Sequence, residues 1–271
     1  MSTAKAVSPH ARKFGVEIEC GFPGGPNAVR RLLGFGESWR HDGWIVGSDG
    51  SGVELKTPPL QGQHGFEILA ATMDKLKENG AYVTEADGMH VHHDAPEFAS
   101  SFGKTHQLVH SWVNNIRVIE QMVHPDRRDY DACPPWREHD LRTLDDLYRM
   151  RGEVAGEAIR QFYYFGRHDL NIMALSEHGT VEIRLHEGTL DPDVAVAWIQ
   201  FGQRFLHGVL RRAEPLDSAA DDLALMKRLR LSKKAQEIMA DKKAKGHLTL
   251  KSAFRPWQDE DDEDYDDDGA W

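Results

Sequence analysis

Val181-Glu182-Ile183-Arg184-Leu185-His186 alternates apolar residues with charged or imidazole residues at every step. In a β-strand successive side chains point to opposite faces, so Glu182, Arg184 and His186 share one face and Val181, Ile183 and Leu185 the other. Three further segments read the same way: Gly15-Val16-Glu17-Ile18-Glu19, Val53-Glu54-Leu55-Lys56 and Met89-His90-Val91-His92. Combined in one sheet, they gather Glu17, Glu19, Glu54, Glu182, His90 and His92 on a polar surface. Val16, Ile18, Leu55, Met89 and Val91 then join the apolar face, which packs against helices.

One Glu-x-Glu pair is more often a solvated strand face than a metal site, because any antiparallel sheet with one wet side alternates in this manner. Ordinary wet faces, however, carry Lys, Thr, Ser and Gln. These four segments carry metal-ligand types almost exclusively, joined by Lys56 and Arg184. Carboxylates gathered so densely repel one another unless cations hold them, which points to a divalent-metal enzyme. The same reasoning predicts that Glu17→Gln or Glu182→Gln leaves the metal-free protein as stable or more so.

Helical periodicity fills the intervals. Residues 27–33 read as a short helix after a Gly-Pro-rich turn, and 64–79 as a longer one with Phe66, Leu69, Met73 and Leu76 on one stripe and Gly80 as its stop. Residues 105–124 form a long helix ended by Pro125, 143–165 another, and Asp191-Pro192 opens the best-capped one, to about Arg212. A helical pair, about 218–230 and 232–244, follows. Strands are expected at 81–85, 170–175 and 180–186, with turns at 86–88 and 176–179 and an irregular stretch at 125–140. Antiparallel pairs mixed with helices make the class α+β.

At 271 residues, 40% hydrophobic and 28% charged, the chain is long enough for a sizeable core. No apolar run reaches the roughly 20 residues that span a bilayer, so no membrane partner is expected. Residues 1–13 lack the apolar centre of a secretory signal. Cys20 and Cys133 form no zinc-type spacing and suit a reducing compartment, so a cytoplasmic location is the default. The net charge is −11, but residues 259–268 carry nine of those negative charges, leaving the body near neutral with no bias toward nucleic acid. That acidic run reads as a solvated, disordered tail, with partner docking as its alternative use. Gly47-Ser-Asp-Gly-Ser-Gly52 reads as a turn, with Asp49 bonding its own backbone. It lacks the Gly-Lys-Ser/Thr ending of a phosphate-binding loop.

The ordered series Gly15-Val-Glu-Ile-Glu19, Glu54-Leu-Lys-Thr-Pro-Pro-Leu60, Gly88-Met-His-Val-His92, Arg167-His-Asp-Leu-Asn171 and Thr180-Val-Glu-Ile-Arg184, then His186-Glu-Gly-Thr-Leu-Asp191, resembles the amidoligase family, small relatives of glutamine synthetase and glutamate–cysteine ligase. The resemblance covers residues 13–205. It implies a glutamine synthetase-like catalytic domain: a curved, mainly antiparallel sheet with a polar concave face and helices behind. It divides the chain into a flexible N-terminus (1–12), the catalytic domain (13–214), a helical extension (215–255) and the tail (256–271).

The activity implied is ATP-dependent joining of a carboxylate substrate to an amine substrate through an acyl phosphate. By residue-to-residue carry-over, Glu17, Glu19, Glu54, His90 and Glu182 are metal ligands for Mg²⁺ or Mn²⁺, hard cations that take carboxylate oxygen, with imidazole tolerated by Mn²⁺. His92 and Lys56 contact nucleotide phosphate. Arg184 holds the substrate carboxylate or the acyl phosphate, acting with Glu182 and Glu54 as the catalytic set. Asn171 is a candidate for orienting substrate, and His186 and Glu187 for approaching it; His93, facing the other way, reads as structural. Two alternatives compete: a metal-dependent hydrolase using the same carboxylates and histidines to activate water, and a catalytically inactive scaffold that has kept the fold.

Overall fold

The structure, a computed structural model, describes residues 12–49, 52–128, 133–151 and 168–245. The four alternating segments lie in β1 (Lys13–Cys20), β4 (Gly52–Lys56), β6 (Gly88–Asp94) and β8 (Thr180–Glu187). They are consecutive neighbours at the centre of one sheet, ordered β2-β3-β4-β1-β6-β8-β7. The outer members are β2 (Arg40–His41), β3 (Trp44–Asp49) and β7 (Leu170–Asn171), and β5 (Leu60–Gln61) pairs with one end of β1. Every pairing is antiparallel. Mixed helix and antiparallel sheet is the α+β class the sequence predicts.

Val16, Ile18, Leu55, Met89, Val91, Val181 and Ile183 are all buried on the apolar face, and Leu185 is buried too. Helices α2 (Gly62–Glu78), α4 (Phe102–Ile119) and α7 (Pro192–Leu210) complete that core. Phe66 of α2 stacks on Phe14 of β1 at 5.2 Å between ring centres. As expected, α7 starts at Asp191-Pro192: the Asp191 carboxylate accepts from Asp193 N at 3.0 Å and Val194 N at 3.3 Å, satisfying two first-turn donors. The remaining helices are α1 (Gly25–Leu33), α3 (Pro96–Ala99), α5 (Glu138–Arg151), α6 (Ala174–His178), α8 (Asp222–Arg228) and α9 (Lys233–Ala244). Leu225, Met226, Leu229, Leu231, Ala235 and Met239, from α8, α9 and the turn between them, enter the same core as the sheet.

Several boundaries differ from the sequence reading. Residues 81–85 form no strand: Tyr82 makes a lone bridge with Gly21, and Asp87 Oδ2 accepts from Thr84 N at 2.6 Å, pulling the chain into a turn. The expected strand 170–175 stops at Asn171, whose side-chain oxygen accepts from Met173 N at 3.0 Å and starts the single-turn α6. Residues 176–178 therefore end a helix, closed by Gly179 at φ 69°. Residues 47–49 belong to β3, so Asp49 ends a strand rather than sitting within a turn, and residues 50 and 51 of the expected Gly-rich turn lie outside the described residues. The long helix at 105–124 is α4 followed by a 3₁₀ turn, Glu120–Met122. The helix expected over 143–165 is described only to Arg151, as α5; its remainder, Arg167 and the acidic run 259–268 lie outside the described residues.

His186 is the consequential correction. Met89 pairs with His186 and Val91 with Ile183, so β8 spends three steps where β6 spends two. One extra residue makes a β-bulge, and the alternation flips beyond it. His186 consequently lies across from Met89 on the apolar side, fully buried, with its ring 5.0 Å from that of Trp198 in α7.

Candidate active site

Strand register assembles the polar face. Glu17 lies opposite Lys56 on one side and His90 on the other, Glu19 opposite Glu54, and His92 opposite Glu182, which in turn faces Asn171. Directly opposed residues share a face, so these side chains meet. They line a cleft of about 220 Å³ together with Ala174, Glu177, His178 and Arg184. Every residue assigned by the amidoligase resemblance to metal, phosphate or catalysis lines this cleft: Glu17, Glu19, Glu54, Lys56, His90, His92, Glu182 and Arg184.

Lys56 Nζ donates to Glu17 Oε1 at 2.8 Å and lies 3.0 Å from Glu54 Oε1. Arg184 Nη1 donates to Glu182 Oε1 at 2.7 Å, and Asn171 Nδ2 to Glu182 Oε2 at 2.6 Å. His90 sits among three carboxylates: its Nδ1 is 3.4 Å from Glu17 Oε2 and 3.7 Å from Glu182 Oε1, its Nε2 3.7 Å from Glu19 Oε1. The ring of His92 is set by Thr180, whose hydroxyl oxygen lies 3.0 Å from Nδ1. Its Nε2 then faces Glu17 at 3.5 Å and Glu182 at 3.7 Å. Arg184, on the face of Glu182 by strand alternation, has its Nη1 3.4 Å from His90 Nδ1.

These contacts set the charges. Burial pushes the Glu17 pKa up, but His90, His92 and Lys56 outweigh it and hold the carboxyl well below the usual range. Burial likewise raises Glu182, and the neighbouring His92, Arg184 and His90 together with the Asn171 amide reverse the sign. Burial lowers His90 below the ordinary histidine value despite Glu17 beside it. Lys56 is lowered by burial and raised by Glu17 and Glu54, which prevail. Glu17 and Glu182 are thus held in the charged form and already partnered by protein cations. This corrects the expectation that Glu→Gln relieves an unpartnered cluster: such a change removes attractive contacts.

Divalent-metal chemistry is consistent with the donor set. Among the lining residues, five carboxylates (Glu17, Glu19, Glu54, Glu177 and Glu182) face two permanent cations, Lys56 and Arg184. The net charge stays negative. One ligand atom from each of Glu17, His92 and Glu182 falls within 4.8 Å of the others, a span that one ion can bridge. His92, expected at phosphate, is therefore as well placed to ligate as His90.

Glu177 and His178 escaped the sequence reading. They belong to a single-turn helix whose Ser-Glu-His-Gly sequence also fits a bare turn; the histidine beside a left-handed Gly was the available signal. His178 meets His92 edge-on at 5.9 Å between ring centres. A neighbouring, more apolar trough of about 390 Å³ shares Glu17, Lys56, His92 and His178 with the cleft and continues along Ile45 and Pro59. Four other residues of these motifs are buried. His93 packs on the apolar side, where a side chain on Gly202 of α7 would collide with it. Glu187 and His186 join Lys242 of α9: Lys242 Nζ donates to the Glu187 carboxylate and lies 2.9 Å from His186 Nε2. Asp169 accepts from Trp112 Nε1 at 2.9 Å and from Leu170 N at 2.8 Å.

A family model described as putative amidoligase enzyme matches residues 38–206. No curated protein matches the chain. The matched span contains β4, β6, β7 and β8 but not β1, whose Glu17 and Glu19 nevertheless complete the face between β4 and β6. Among the described residues no helix is long and apolar enough to cross a membrane.

Proposed function

The chain belongs to the amidoligase family, and from that membership and the cleft we propose that it is an ATP-dependent carboxylate–amine ligase working through an acyl phosphate. The family description speaks for an amide-forming ligase with carboxylate and amine substrates. The supporting observation is the meeting of Glu17, Glu182 and His92 within ligand distance of one another, with Arg184 bonded to Glu182 at its edge. Four adjacent antiparallel strands presenting this face to a cleft support reading the sheet as glutamine synthetase-like.

Glu17, Glu19, Glu54, His90 and Glu182 would hold Mg²⁺ or Mn²⁺, which supplies charge neutralisation to the β- and γ-phosphates of ATP. His92 and Lys56 bind phosphate oxygens at the junction with the apolar trough, whose Ile45 and Pro59 suit a nucleoside or an apolar substrate part. Arg184 holds the substrate carboxylate as a fork of donors. A carboxylate oxygen attacks the γ-phosphorus and ADP leaves; the amine then attacks the acyl carbon and phosphate leaves. The proton shed by the amine goes to a cleft carboxylate, Glu54, while Glu182 stays ionised against Arg184 and Asn171.

Oxygen tracing tests this chemistry. The protein is incubated with ATP, Mg²⁺, a pool of ¹⁸O-carboxyl amino acids and a pool of amines. Transfer of ¹⁸O from carboxylate to inorganic phosphate is the expected result. ADP formed with phosphate oxygen drawn only from water would make the chain an ATP hydrolase.

A further inference from the structure

Away from the cleft, α4 and α5 carry a second set of ligand-type side chains. His106 and His110, four residues apart, share one face of α4, and Asp145 reaches them from α5. The two imidazole Nε2 atoms each lie 2.8 Å from the same oxygen, Asp145 Oδ1. The three atoms are all within 4.8 Å of one another. We propose that His106, His110 and Asp145 form a binding site for a transition-metal dication of the zinc class, independent of the cleft.

The donor set selects the ion. Two imidazoles and one carboxylate suit Zn²⁺ and its neighbours, whereas Mg²⁺ takes oxygen and keeps its waters. With bonds of about 2.0–2.1 Å, neighbouring tetrahedral ligands lie roughly 3.3 Å apart. The present 2.8 Å separations therefore open by only about half an ångström to admit an ion.

The ligands are also held in place. His106 stacks on Tyr148 of α5 at 4.4 Å, and its ring centre lies 4.4 Å from that of His110. Their side chains are 19% (His106), 25% (His110) and 30% (Asp145) exposed, enough for an ion to enter from solvent. The cluster borders a groove of about 570 Å³ that also touches Lys104, Gln107 and Glu214, leaving a fourth coordination position open to water or a small anion. An ion held there ties α5 to α4.

The test uses full-length protein stripped with a chelator and then freed of it. Zn²⁺ is titrated against a chromophoric indicator, and Co²⁺ is added in parallel to read coordination from its visible spectrum. The variants are His106→Ala, His110→Gln and the cleft double variant Glu17→Gln/Glu182→Gln, each checked for folding by circular dichroism. Wild type and the cleft variant are expected to bind one tight Zn²⁺ each, with an intense four-coordinate Co²⁺ spectrum. His106→Ala and His110→Gln should weaken that ion by about 100-fold or more, since each leaves two protein ligands of three. Should His106→Ala fail to fold, His110→Gln carries the comparison. Tight Zn²⁺ lost only in the cleft variant, Zn²⁺ affinity unchanged by both histidine substitutions, or no Zn²⁺ binding in wild type would each overturn the site.

Discussion

Glu17 shows what sequence supplies and withholds at the scale of one residue. Its strand, its face and its histidine company followed from period-two alternation; its bond to Lys56 needed the register that sets Glu17 opposite Lys56. Because that bond and the nearby histidines favour the charged form, Glu17→Gln should destabilise the metal-free protein by about 1–3 kcal/mol, a fall of several degrees in melting temperature. Equal or higher stability would return the cluster to the unpartnered state that the sequence alone suggested.

Asp169 gives a pH prediction of the opposite kind. Burial pushes its pKa up to about 7, against which the Trp112 and Leu170 hydrogen bonds work only in part. The folded chain therefore keeps a proton that the unfolded chain loses near pH 4. A raised folded pKa in an acid favours folding below the unfolded value, and that contribution falls away as pH rises toward 7. Asp169→Asn, always neutral, should flatten the loss of stability between about pH 5 and 7, read from thermal melts across that range. A slope unchanged from wild type would mean that Asp169 titrates normally.

Among the elements, β6 and β8 explain both the success and the main failure of sequence reasoning. Alternation cannot reveal a bulge, because Glu182 to His186 alternates without a break straight through it. The extra residue is visible only in the pairing of Met89 with His186 and Val91 with Ile183. The short elements were equally hidden: α6 spans five residues, and β2, β5 and β7 two each, too few to show a period. Gly88, which opens the Gly-Met-His-Val-His segment, has a packing reason to lack a side chain. A Cβ there would lie 3.0 Å from His90 Nε2 and 3.0 Å from Arg127 Nη2, while the Gly88 N–H donates to Glu19 Oε2 at 2.6 Å. Gly88→Ala should displace His90 and Glu19, cutting the nucleotide-dependent thermal shift while circular dichroism stays that of the wild type. A full nucleotide shift in Gly88→Ala would show that this crowding is relieved without cost to the cleft.

Across the whole molecule, the C-terminal helices are built into the core. Met239 and Lys242 of α9 are buried, and Lys242 Nζ donates to Met122 O at 3.1 Å as well as to Glu187. Burial raises Glu187, but His186, Lys242 and the His124 backbone N–H bring it down to about 2. Removing one member of a buried pair costs about 3–5 kcal/mol, so Lys242→Ala should destabilise by that order in urea. Pairing Lys242→Met with Glu187→Gln should recover most of the loss. An unaltered midpoint in Lys242→Ala would mean that this buried pair contributes nothing to holding α9 on the core. No local pattern could announce this contact, because Lys242 and Glu187 are far apart in the chain, and Glu187 reads from its motif as a residue near the substrate rather than as the partner of a buried lysine.

The most direct measurement of the central claim is the melting temperature with ATP or a non-hydrolysable ATP analogue, each with Mg²⁺ or Mn²⁺, for wild type and Glu182→Gln. A ligand bound only by the folded state raises the melting temperature by mass action. The account predicts a rise that needs nucleotide and metal together and is lost in Glu182→Gln. A full rise with metal alone, unaltered by nucleotide, would contradict it and favour the hydrolase reading; no rise under any condition would leave the fold without the ligase chemistry.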